Sequence, residues 1–410
     1  MKTEGLRIDG ARLLARLAEL AAIGQTGDGG CCRLALTDED RAGRDLVCRW
    51  MREAGLEVRI DAIGNFFGYR PGTEDAAPVM TGSHIDTVAT GGRYDGCLGV
   101  LAGIEAVHTL NAAGLRTRRP LVVGVFTNEE GARFAPDMLG SLAYVGALPL
   151  EEAYARVSID GKRLGDELAR IGYRGEAPLT LYRPHAHVEL HIEQGPVLDA
   201  EGDTIGAVEK VQGISWQEVS IAGESNHAGT TPMRLRHDAG YCAAAIGTFL
   251  RTLARELGGD QVCTMGSVTL HPNLINVIAA RANVTVDLRN TGEAALQEAE
   301  QRFAAFLVQL ARDEGVAIET RRLARFEPVI FDAGVATLIA RVASRLGHSC
   351  RPMTSGAGHD AQMLARICPT AMVFVPSVKG ISHNPAEHTS PEHLAAGADV
   401  LLHTLLELAA

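Results

Sequence analysis

No Cys-x-x-Cys pair occurs in this chain of 410 residues. Its eight cysteines are scattered, and only Cys31 and Cys32 are adjacent. That usage fits a reducing cytoplasm better than a disulfide framework, and it makes cysteine a poor candidate for a metal ligand. No apolar run approaches the ~20 residues that cross a bilayer, so no membrane partner is expected. The opening residues, MKTEGLRIDGARLL, lack a long apolar core and a small-residue cleavage site, and no signal peptide is expected. Basic residues gather only at Arg116, Arg118 and Arg119, and the net charge is −11. Nucleic acid is therefore not an expected partner. There is no low-complexity tract and no internal repeat. With 22% charged and 46% hydrophobic residues, what remains is an ordinary globular chain, long enough for two or three domains.

The most informative stretch is Met80–Val100, MTGSHIDTVATGGRYDGCLGV. A short apolar run leads to His84 and Asp86, two residues apart and hence on one side of extended backbone. Gly91 and Gly92 break the chain, Asp95 follows, and from Cys97 apolar residues recur at helical spacing. The order is strand, glycine loop, acid, helix. It places an imidazole and two carboxylates at the C-terminal end of a strand, where open α/β sheets hold ligands. Taken alone, His-x-Asp is equally a capped turn.

Helices are expected over residues 8–23, capped by Asp9, and from Thr37 to near Gly55, with Asp40 completing a capping box. Glu57–Ile63 and Asn65–Tyr69 read as strands. Leu121–Phe126 is a continuous apolar run, expected to be a strand buried on both faces. It ends in Glu129 and Glu130, which either start a solvated loop or require a compensating cation. Residues 138–182 read as mostly helical, then irregular. In His187–Gly195, apolar Val188, Leu190 and Ile192 alternate with His187, Glu189, His191 and Glu193. This is either an edge strand with a solvated face or a strand aiming His191 at a metal.

From Ile214 the element order β-α-β-β-α-β suggests a ferredoxin-like unit. Alternating α/β patterning resumes after Glu327-Pro328. The expected domains are 1–211 and 329–410, forming one discontinuous catalytic domain, and an inserted unit over 212–328. The second part carries Ser355–Asp360, a buried strand at Ala371–Val375, the loop Lys379–Pro385 with His383, and a last helix over 391–408.

The polar residues at strand ends are His84, Asp86, Asp95, Glu129, Glu130, His191 and His383. Imidazoles and carboxylates without thiolate favour a hydrolytic metal site. One tetrahedral ion does not need so many ligands, whereas two ions ~3.5–4 Å apart sharing a carboxylate use them well and activate a bridging water. One glutamate of the 129–130 pair can then bind metal while the other takes the water's proton.

GSHIDTV…GGRYDG, TNEEGARF, HIEQGPVL, GESNHAGTTPM, NVI…VDLR, SGAGHDA and VPSVKGISHNPAEHT follow one another along nearly the whole chain. In these the sequence resembles the dinuclear zinc amidases of the hydantoinase/carbamoylase family, within the wider group of zinc aminoacylases and carboxypeptidases. The resemblance implies an α/β fold: a mixed-sheet, aminopeptidase-like catalytic domain with an inserted ferredoxin-like lid and dimerisation domain. It implies two divalent ions per subunit, zinc foremost, with manganese, cobalt or nickel as alternatives. One would be held by His84, Asp95 and His191, the other by Asp95, Glu130 and His383. Asp95 would bridge, Glu129 would act as general base toward a metal-bridging hydroxide, and Asp86 would orient His84. His191, in place of an acid, resembles the carbamoylase branch more than the peptidase branch.

Arg289 shares an alternating strand with Thr285 and Asp287 and reads by itself as a surface residue. By the resemblance it pairs with a substrate carboxylate, with Asn276 as a partner in that contact and Gln194 and Gly358 beside the substrate. His227 reads either as an exposed loop histidine or, by resemblance, as the oxyanion-stabilising histidine of the other subunit of a homodimer. Ala279 stands where the family has proline, which is expected to loosen the loop carrying Asn276.

The implied reaction is hydrolysis of an N-carbamoyl-L-amino acid to the amino acid, carbon dioxide and ammonia. Allantoate amidohydrolase and β-ureidopropionase share the motifs, and an aminoacylase or dipeptidase is more distant. A metal-dependent binding protein without catalysis would lack Glu129 or a ligand. All are present here.

Overall fold

A computed structural model describes residues 5–410. The chain divides into two compact units, Met1–Glu209 with Phe331–Ala410, and Lys210–Ile330. In chain order the strands are β1 (Glu57–Ile60), β2 (Phe66–Arg70), β3 (Val79–His84), β4 (Leu121–Phe126), β5 (Ala186–Ile192) and β6 (Ile205–Val211). They continue as β7 (Gly213–Ala222), β8 (Val262–His271), β9 (Arg281–Asn290), β10 (Ala317–Phe326), β11 (Val329–Ile330), β12 (Cys350–Ser355) and β13 (Thr370–Val375).

The large sheet is mixed and runs β1-β2-β4-β3-β5-β13-β6-β11, with β12 paired to β6. Its central strands β4, β3, β5 and β13 are mutually parallel. All four are buried along their whole length, as parallel strands covered on both faces must be. Their C-terminal ends therefore share one edge of the sheet. The helix Cys97–Ala112 packs on β3 and is itself covered by Gly10–Ala21 and Pro391–Leu408. It is apolar nearly all round, as a helix enclosed on every side must be. Its one acid, fully buried Glu105, is held bidentately by Arg12 at 2.8 and 2.6 Å.

β5 is no edge strand with a wet face: β3 and β13 flank it, and its polar side is packed under the helix Asp360–Leu364. Glu189 there accepts the Ser83 hydroxyl at 2.6 Å and the Ala361 N–H at 2.8 Å. Residues 138–182 hold three short helices, Leu139–Tyr144, Leu150–Ala155 and Leu164–Ile171, followed by irregular chain. Strands β6 and β12 were not foreseen. β12 is only partly buried and carries Pro352, which argues against an interior strand when read from sequence alone.

In the second unit the antiparallel order is β10-β7-β9-β8. The helices Ala239–Leu257 and Glu293–Glu314 supply Ile246, Leu250, Phe303 and Leu307 to a core with Val219, Val284 and Val286. Element order and strand order are those of a ferredoxin-like unit. Among the described residues, no helix is long and apolar enough to cross a membrane.

Candidate metal centre

At the shared edge, His84 closes β3 and His191 stands next to last in β5. Glu129 and Glu130 follow β4, and His383 lies in the loop after β13. Asp95 comes from the loop between β3 and the helix at Cys97. Gly96 makes that approach possible: its φ is +63°, and a Cβ there would sit 2.4 Å from His84 Nε2.

The two buried imidazoles are anchored alike. His84 Nδ1 donates to the Asp86 carbonyl at 2.9 Å, and His191 Nδ1 donates to the Ile192 carbonyl at 2.8 Å. Each ring thereby turns Nε2 inward. Asp95 Oδ1 lies 3.1 Å from His191 Nε2 and 3.5 Å from His84 Nε2. Its other oxygen, Oδ2, lies 3.3 Å from His383 Nε2, which is also 3.3 Å from Glu130 Oε2. His84–Asp95–His191 and Asp95–Glu130–His383 are thus two ligand-competent groups sharing one carboxylate. Glu129 belongs to neither, and its Oε2 stands 3.4 Å from His84 Nε2.

These residues fit a cation. Imidazole nitrogens and carboxylate oxygens converge here at 3.1–3.5 Å without a thiolate, the donor set of a hydrolytic metal site. Burial most opposes the charge of Asp95, yet bonds from His191, His383 and His84 hold it well below the usual carboxylate range. Burial, reinforced by Asp360, Glu130 and Asp95, pushes Glu129 well above it. Burial and Asp95 push Glu130 to about 8. Buried acids outnumber the cations available to them, which a divalent ion would redress. A third group, Glu189–His191–His359, shares His191. The oxygens of Glu189 are already engaged by Ser83 and Ala361, which makes it a support beneath His191.

Asp86 contacts its neighbours differently from expectation. Its carboxylate is 3.9 Å from His84 Nδ1, and the main-chain carbonyl makes the short contact instead. Gln194, in left-handed backbone at φ +57°, donates to Asp95 Oδ2 at 2.7 Å. Gly358 precedes His359, whose ring meets His191 edge-on with centroids 4.6 Å apart. His227, Asn276 and Arg289 belong to the second unit. His227 is exposed, and its Nδ1 accepts N–H groups from Gly229 and Thr230 at 3.0 and 3.2 Å, so Nε2 carries the hydrogen. With Ala279 in place, the Asn276 loop is bonded to the loop that carries His227. Ala228 N–H bonds the Asn276 carbonyl at 2.9 Å, and Ile278 N–H bonds the Asn226 carbonyl at 2.8 Å. Arg289 Nε and Nη2 lie 3.0 and 2.8 Å from Asp287 Oδ2.

Sequence reasoning passed over Glu387 and Ser382, both bonded around Asp95. Their signal was their place in the motif around His383.

Fold and site define a hydrolase acting on amide bonds, of a class that uses metal ions. The chain belongs to the peptidase family M20/M25/M40, whose family model matches residues 80–407. Within it, the chain belongs to the hydantoinase/carbamoylase amidases. It is 44% identical over 407 residues to an N-carbamoyl-L-amino-acid amidohydrolase of Rhizobium meliloti, covering 99% of this chain and 98% of that protein. It is 42% identical over 407 residues to the N-carbamoyl-L-amino acid amidohydrolase of Geobacillus stearothermophilus, covering 98% and 99%. A crystal structure of a hydantoinase/carbamoylase family amidase from Burkholderia multivorans is similar at TM-score 0.95 and 45% identity, covering 98% of both chains.

Proposed function

We propose that this protein hydrolyses the ureido C–N bond of N-carbamoyl-L-amino acids. One water is consumed, and the products are the amino acid, carbon dioxide and ammonia. One observation carries the reading: the two oxygens of Asp95 face separate ligand groups, and Glu129 stands beside them uncommitted to either. His84, Asp95 and His191 would hold one divalent ion, and Asp95, Glu130 and His383 a second, with zinc the expected metal. When bound, such ions supply Lewis acidity and lower the pKa of water.

The protein's own groups do the rest. Glu129 removes a proton from the attacking water and returns it to the departing nitrogen, a role that suits a carboxyl whose burial has raised its proton affinity. Asp86 holds Glu129 and His84 in place. Gln194 and the backbone at Gly358 border the substrate. Arg289, with Asn276, receives the substrate carboxylate in exchange for Asp287.

The unit Lys210–Ile330 acts as lid and dimerisation unit. His227 of the partner subunit donates its Nε2–H to the oxyanion of the tetrahedral intermediate. The eight free cysteines support a cytoplasmic setting. Ammonia release from a panel of carbamoyl amino acids, allantoate, ureidopropionate and acyl amino acids tests the reading. Turnover confined to acyl amino acids would overturn it.

A further inference from the structure

Glu387 belongs to neither ligand group, yet it is only 4% exposed. Its Oε1 accepts the main-chain N–H of Tyr94 at 2.9 Å and of Asp95 at 3.3 Å. Its Oε2 accepts the Ser382 hydroxyl at 3.2 Å, and Ser382 Oγ is also 3.3 Å from Asp95 Oδ2. The Glu387 N–H bonds the Asn384 carbonyl at 2.9 Å, closing the turn that follows His383. Thr90 Oγ1 donates to the His383 carbonyl at 3.1 Å. Gly92 leaves room for this carboxylate: a Cβ there would fall 2.2 Å from Glu387 Oε1. A buried carboxylate is stable only when its lone pairs are engaged. Here every donor comes from a ligand or a residue next to one.

We propose that Glu387 is a positioning residue that rivets the Asp95 loop to the His383 loop. It fixes the main chain of Asp95 directly and holds Ser382 beside its Oδ2. The bridging carboxylate then keeps one oxygen toward each ligand group, and metal affinity depends on Glu387 although it touches no metal. This rests on the two-ion reading above.

The test is zinc titration of chelator-stripped full-length protein against a chromophoric competitor, with melting of the metal-free protein as the parallel readout. Glu387→Ala is expected to weaken zinc 10- to 100-fold, the usual effect of losing a residue that supports ligands. Metal-free melting should change little, whereas a merely structural role would lower it in step. Glu387→Gln keeps the Oε1 acceptor and should bind near wild type. Gly92→Ala, which displaces the carboxylate, should reproduce the alanine result and decides the matter if Glu387→Ala does not fold. Wild-type affinity in Gly92→Ala or Glu387→Ala overturns the proposal, as does a glutamine variant as weak as alanine. Absence of zinc binding by wild type would instead overturn the two-ion reading.

Discussion

The Asp86 carboxylate accepts the main-chain N–H of Glu129 at 3.2 Å, and its second oxygen accepts that of Glu130 at 3.3 Å. Its own carbonyl meanwhile fixes His84. One residue thus sets a ligand and both glutamates. Asp86→Asn turns an NH₂ toward one of those N–H groups. It is expected to lower metal affinity about 10- to 100-fold, measured by zinc competition. Unchanged affinity and turnover would remove Asp86 from this role.

Glu129→Gln keeps size but cannot accept a proton. Activity is expected to drop ~100- to 10,000-fold with zinc content retained. Glu130→Gln should lose zinc. Elemental analysis beside kcat separates the two, and a fast Glu129→Gln enzyme would contradict the assignment.

Arg289→Ala removes the bidentate donor and is expected to raise KM for carbamoyl amino acids, at a loss of about 1.5–3 kcal/mol for a charged hydrogen-bonded contact. Arg289→Lys should restore little, because an ammonium cannot match the fork. Steady-state kinetics with and without a substrate carboxylate decide. Equal KM in all three proteins would exclude the clamp.

Metal-free protein should be less stable in mild alkali. Burial pushes Asp61 up to about 8 and also raises Glu130 and Glu387. The bond to Asp95 raises His383 to about 9. Each folded value lies above the unfolded one, about 4 for carboxylates and 6.5 for histidine. The stability they contribute is complete below the unfolded value and is lost as pH rises through the folded value. His187, lowered to about 3 by burial, works oppositely below neutrality. Calorimetric Tm of stripped protein is therefore expected to fall between about pH 6.5, above which His187 no longer opposes it, and about pH 9, and zinc should flatten the fall. A Tm that climbs over that window would refute this.

Subunit complementation tests His227. Glu129→Gln and His227→Ala homodimers should both be nearly inactive. After verified exchange, heterodimers hold one site with both residues intact and should regain up to about half of wild-type activity per dimer. No regain would place His227 within its own subunit or outside the reaction.

The parallel sheet edge was legible because apolar runs such as Leu121–Phe126 end abruptly in acids. His84 and Glu129 therefore fall at strand ends wherever the strands go. The burial of β5 was less legible. Its alternation of His187, Glu189 and His191 with apolar residues matches a half-wet strand, and only the Asp360–Leu364 helix above it shows otherwise. The role of Glu387 was hidden for another reason, although its place in the motif around His383 was plain. Two of its partners are main-chain N–H groups nearly 300 positions away, and backbone donors leave no mark in a sequence. The same holds for Asp86, whose working group toward His84 is its carbonyl.

The position of β13 between β5 and β6 bears on biosynthesis. During translation β5 emerges long before Thr370–Val375, so one margin of a fully buried strand stays unpaired while the entire second unit is made. A margin of that kind invites pairing with foreign strands. The same late residues are followed closely by His383, so the centre is completed just after the sheet is. Metal uptake by both ligand groups would therefore report that translation has passed His383.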